Sequence, residues 1–108
     1  MSKMSAKQGE STSLVVITIE GLTDYTDYYG NLRVLEGDTD DIVLGPIRVD
    51  PADSKFSVAF NPAQTLGLPI EDYTVVFEVV KEVADVIEFR KEVSWPLKIN
   101  KAIIDYSN

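Results

Sequence analysis

Residues 87–99 read IEFRKEVSWPLKI, and their alternation decides the fold. Ile87, Phe89, Val93, Trp95, Leu97 and Ile99 share one parity, Glu88, Arg90, Glu92, Ser94 and Lys98 the other, and only Lys91 breaks the pattern. Side chains of a β-strand point to opposite faces with a period of two, so this stretch predicts a strand, or a bent pair of strands, with one face in a core and one in water. The preceding stretch Tyr73–Lys81 (YTVVFEVVK) places Tyr73, Val75, Phe77 and Val79 on one parity and Val76 and Val80 on the other. Joined through Glu82–Asp85, the two stretches predict a closing hairpin. A sheet face turned to water is normally polar. Val76 and Val80 are therefore expected to lie under a loop, under the C-terminal segment Ala102–Tyr106, or against another chain.

Working outward, Leu14–Glu20 (LVVITIE) predicts a strand apolar on both faces apart from Thr18 and Glu20. Gly21–Gly30 is turn-rich and is followed by a short strand at Asn31–Leu35 and a solvated turn at Glu36–Asp41. Ile42–Val49 is a strand interrupted by Gly45-Pro46; proline lacks a ladder donor, so it belongs at an edge or a bulge. In Lys55–Phe60, Phe56, Val58 and Phe60 point inward, and Asn61–Pro69 imposes turns, with one helical turn at Ala63–Leu66. About six or seven short strands and no amphipathic helix predict an all-β, antiparallel two-sheet sandwich, with a small barrel as the alternative. Residues 1–12 are polar and aperiodic and predict a flexible N-terminal arm; residues 13–108 form the single sandwich domain.

Composition narrows the chemistry. The 108 residues include no cysteine and no histidine, which removes disulfides, thiolate metal sites and histidine-activated nucleophiles. Eighteen acidic against ten basic side chains give a net charge of −8, a surface that repels nucleic acid and anionic membranes. No apolar run approaches the roughly 20 residues of a membrane span, and the polar start has no secretory signal pattern. A protein made and kept in the cytoplasm, or assembled there into something larger, is expected.

Four groups of residues invite a site. Asp38, Asp40 and Asp41 cluster oxygens as a hard cation needs, but they miss the EF-hand spacing, so no metal is assigned. Tyr25, Tyr28 and Tyr29, beside Asp24 and Asp27, offer rigid apolar faces with polar tips, suited to a sugar platform, a protein patch or cover for the open end of the sandwich. Glu88 and Glu92 flank Arg90 on the outward parity, an ion-paired solvent face rather than a glycosidase pair. Trp95 shares the parity of Val93 and Leu97 and is read as core. The six glycines are scattered and form no phosphate loop, and with histidine and cysteine both missing no cofactor and no enzyme are expected.

From Gly21 onward the order of features resembles the small immunoglobulin-like domains of tailed-phage virion proteins, including the N-terminal domains of baseplate upper proteins. The segments carrying the likeness are Thr23-Asp24-Tyr25-Thr26, Leu32-Arg33-Val34, Phe56-Ser57-Val58, Thr65-Leu66-Gly67-Leu68-Pro69-Ile70-Glu71-Asp72-Tyr73 and Trp95-Pro96-Leu97-Lys98-Ile99. Glu71-Asp72 stands where that pattern has glycine, and the final strand lacks its glycine. The resemblance implies an immunoglobulin-like sandwich that is a non-enzymatic structural part of a virion: a capsid decoration or cement protein, or a tail or baseplate adaptor. Its partners would be capsid or tail subunits in a homo-oligomeric or symmetric assembly. The expected contact residues are Lys3, Lys7, Leu14, Val16, Val76 and Val80, with Tyr25, Tyr28 and Tyr29 second. The alternative is a carbohydrate-binding module using the tyrosine loop, residues 24–29.

Overall fold

The computed structural model describes residues 4–37 and 39–101. Within them the chain is all-β apart from one short helix. Its strands are β1 (Met4–Lys7), β2 (Val15–Ile17), β3 (Tyr28–Glu36), β4 (Ile42–Val49) and β5 (Phe56–Val58), followed by helix α1 (Pro62–Leu66) and strands β6 (Asp72–Val83) and β7 (Val86–Asn100). A five-stranded sheet runs in the order β1-β7-β6-β3-β4, and β2 pairs with β5 in a separate two-stranded sheet. One core joins them: Phe56, Val58 and Val15 of the small sheet cluster with Leu32, Val34, Val75, Phe77, Trp95 and Leu97 of the large one.

The hairpin read from the alternation is the spine of the molecule. β6 and β7 pair antiparallel from Val83↔Val86 to Asp72↔Lys98. Ala84 and Asp85 turn the chain with φ of 51° and 66°, the left-handed pair that matches a two-residue hairpin to the twist of its strands. Lys91 does not bend β7; it pairs with Val79 on the core-facing side of an unbroken strand. The true irregularity lies earlier. Lys81 pairs with Phe89 but Glu82 with Ile87, so Glu88 is an extra residue and the parity flips. Ile87, expected inward, is consequently exposed.

Two further expectations are corrected. Met4–Lys7 is not a flexible arm but a strand, parallel to β7 in the register Met4↔Leu97 to Lys7↔Asn100, so the large sheet is not wholly antiparallel. Met4 is buried in the core, and Thr65 of α1 anchors the following turn by accepting from the Gly9 N–H (3.1 Å) and donating to the Glu10 carbonyl (2.7 Å). The tyrosine-bearing loop is shorter than expected, because β3 begins at Tyr28.

The interrupted strand sits at the edge of the large sheet as proline requires, with the β3–β4 register shifting around Gly45-Pro46. Gly45 takes φ 101° there, and a Cβ would approach the Leu32 carbonyl oxygen at 2.5 Å. The helical turn is stabilised by a capping box: Asn61 accepts from the Gln64 N–H and the Gln64 side chain accepts from the Asn61 N–H, each at 2.8 Å.

Candidate binding surfaces

The outer face of the large sheet is built from cross-strand charge. Arg33 of β3 reaches Glu92 of β7 at 3.2 Å and Arg90 reaches Glu78 at 3.4 Å there, while Lys81, on the core-side parity beside Tyr28, reaches Glu88 of the bulge at 3.5 Å. The expected ion-paired face around Arg90 is thus present, with partners taken across strands rather than within one. Arg33 is in register with Val76 and Glu92 with Glu78, so the Arg33–Glu92 bond passes over β6 between them. Val80 is flanked in register by Tyr29 and Arg90. Long polar side chains bury apolar surface along their stems while their charges stay in water.

Val76 (6% exposed) and Val80 (0%) are therefore buried within their own chain. They are not contact residues, and their burial requires no second subunit. The proposed cover by Ala102–Tyr106 lies outside the described residues, as do Lys3 and Asp38. Lys7 is exposed on the outer side of β1.

Tyr25 and Tyr28 meet on the core side, their ring centroids 6.1 Å apart, and Tyr29 stands away from both. Tyr25 is buried; its hydroxyl accepts from the Ile19 N–H at 2.9 Å, and its ring packs edge-on against Phe56. Tyr28 faces the core side, against Phe89 and with the Lys81 ammonium 5.7 Å from its ring centroid. Tyr29, the next residue of the strand, points to the outer face, where the Arg48 guanidinium stacks 4.4 Å from its centroid. Consecutive strand residues face opposite ways, so no shared stacking platform forms. Asp24 closes its own turn, accepting from the Thr26 hydroxyl (2.6 Å) and N–H (2.9 Å); these bonds, the hydroxyl first, hold its carboxyl below the usual carboxylate range.

Other features gather at the start of β6, where Tyr73 is buried and its hydroxyl donates to the Pro69 carbonyl at 2.7 Å, with Glu71 at 3.4 Å. Burial first, then the Glu71 carboxylate, pushes its pKa up to about 12. No cluster of three metal-ligating side chains occurs among the described residues. No described helix is long and apolar enough to cross a membrane.

Besides Lys7, Leu14 and Val16 are expected contact residues that remain exposed. They are 61% and 47% exposed, two residues apart in one extended run, so they share the side of the small sheet turned away from the core. Val16 registers with Ser57, which is also exposed. A groove opens beside this sheet, between β2 and β7, lined by Val15–Thr18, Val93, Ser94 and Trp95. Sequence periodicity did not point to it, because its walls come from strands far apart in the chain.

Compared with models of known protein families, with curated proteins and with solved structures, the chain matches none.

Proposed function

We propose that the chain is an immunoglobulin-like sandwich and a non-enzymatic structural component of a phage virion, attaching to other virion subunits as a capsid decoration or cement protein or as a tail or baseplate adaptor. Three features support the fold reading. The order β7-β6-β3-β4 opposite β2-β5 follows the variable-type immunoglobulin arrangement, in which an extra strand extends the sheet of the last hairpin. The Tyr73–Pro69 hydrogen bond has the form of the tyrosine corner found where that fold enters its penultimate strand. The Thr65–Tyr73 segment that carries the family resemblance is the segment that builds this corner.

A fold by itself hosts many functions, so the functional reading rests on a surface. The observation that carries it is the exposed pair Leu14 and Val16 on the outer side of the small sheet. Such a patch is small. Repetition in a symmetric particle would multiply a modest contact into stable attachment, and the net charge of −8 suits a protein-facing surface rather than one for nucleic acid.

The test is quantitative mass spectrometry of particles purified from the source. The chain is expected at a copy number in simple ratio to a capsid or tail protein. Its absence from the particles would end the reading.

A further inference from the structure

β7 is incompletely paired. β6 lies along one side, whereas β1 covers the other only from Leu97 to Asn100, and among the described residues nothing pairs with that edge from Val86 to Pro96. Among the described residues β2 pairs only with β5, so its far edge is open too. Between these edges runs the groove, in two stretches of about 220 and 380 Å³, with Ile17 and Ile19 on one wall and Phe89, Lys91, Val93 and Trp95 on the other. Rows of unpaired backbone donors and acceptors beside apolar side chains form a template for an added strand.

Two side chains in the groove lack partners. Trp95 is only 4% exposed, yet its indole N–H is buried with no acceptor among the described residues. A buried donor left unpaired forfeits its hydration without compensation, and a carbonyl from an inserted backbone would relieve it. Lys91 projects into the groove from the core-facing parity and makes no ion pair among the described residues; Glu20 lines the same stretch without pairing with it. An inward-pointing lysine blunts an open edge against apolar strands. It admits one that brings a carboxylate to that position.

We propose that this groove receives Ala102–Asn108 of a second copy of the chain as a strand added antiparallel to β7, with Asp105 opposite Lys91. The segment, AIIDYSN, is outside the described residues; it carries two adjacent isoleucines followed by one acidic side chain. With Asp105 opposite Lys91, the period of two sets Ile103 opposite Val93. The donor is another copy because the chain's own segment does not reach. Asp105 lies four residues past Lys101, about 13 Å of extended chain, whereas Lys91 lies ten residues back along β7, about 33 Å. β1 also occupies the edge nearest Lys101. Donated segment and receiving groove are different surfaces, so the contact is heterologous, or reciprocal in a swapped dimer. It does not depend on the virion reading.

The test is analytical ultracentrifugation of the full chain, its Lys91→Glu and Asp105→Lys variants, and the double variant that exchanges the charges. The wild type should associate, with a concentration-dependent change in the emission of Trp95, the single tryptophan. Each single variant should weaken association about tenfold or more, as for a desolvated charge pair, and the double variant should recover most of it. Circular dichroism of every variant fixes that the fold is retained. A wild type monomeric to its solubility limit, a single variant associating as the wild type does, or a double variant that fails to recover would each overturn the proposal.

Discussion

Replacing Gly30 by alanine should be among the most damaging single-methyl changes available. Gly30 lies mid-sheet between Val49 of β4 and Val79 of β6, under the ring of Phe77. A Cβ built there would stand 2.1 Å from Phe77 Cζ and 2.6 Å from Cε1, where ordinary contact begins at 3.4 Å, so the ring must retreat by 3.4 − 2.1 = 1.3 Å. It has nowhere to go: Phe77 is fully buried, and its ring packs edge-on against Phe56 at a centroid distance of 5.3 Å. Overpacking of this kind costs about 3 kcal/mol, and the entropic gain of alanine over glycine in a strand returns about 0.5–1 kcal/mol. The net loss of about 2–2.5 kcal/mol corresponds to a fall in Tm of roughly 8–20 °C for a domain of this size. Urea unfolding of a double-mutant cycle isolates the cause: in a Phe77→Leu background, Gly30→Ala should cost less than about 1 kcal/mol. Equal cost in both backgrounds, or no cost in the wild type, would refute the reasoning.

Tyr73→Phe should destabilise by about 1–3 kcal/mol by orphaning the Pro69 carbonyl, measured by chemical denaturation. Because folding raises the Tyr73 pKa from its ordinary value of 10.0 to about 12, the fold favours the neutral phenol. That stabilisation is complete below pH 10 and declines as pH rises towards 12, and this component of alkaline unfolding should be absent from the Phe variant. Ala84→Asn with Asp85→Gly should raise stability by about 1 kcal/mol, since both positions hold positive φ; an unchanged or lower Tm counts against the hairpin geometry. Val80→Asp should cost about 3 kcal/mol or more, or prevent folding, whereas Val16→Asp should change stability by less than about 0.5 kcal/mol. Similar costs for the two would contradict the assignment of Val80 to an intramolecular, covered position.

Where side-chain periodicity was the whole signal, the sequence was legible. β5, β6 and β7, the helical turn and the placing of Gly45-Pro46 at an edge could all be read from it. β1 was not, because two alternations over four residues are too few to stand out in a polar stretch and its parallel partner lies more than ninety residues away. The extra residue Glu88 leaves no trace in the sequence, because a bulge changes parity without changing composition. Val76 and Val80 depart from the alternation for a different reason. Alternation counts hydrophobic residues, but what buries these valines is the set of charged and aromatic side chains on neighbouring strands, and their reach is set by register. The separation of Tyr28 from Tyr29 followed directly from adjacency in a strand, once the strand was known to start at Tyr28.

The proposed attachment surface is most directly tested by Leu14→Asp with Val16→Asp, produced in place of the wild-type chain during particle assembly. Both positions are exposed, so the isolated double variant should keep its circular dichroism and Tm to within a few degrees. Mass spectrometry of the purified particles should then find the variant depleted about tenfold or more relative to the capsid or tail protein. A folded double variant retained at the wild-type copy number would contradict the claim that this face holds the protein to a virion.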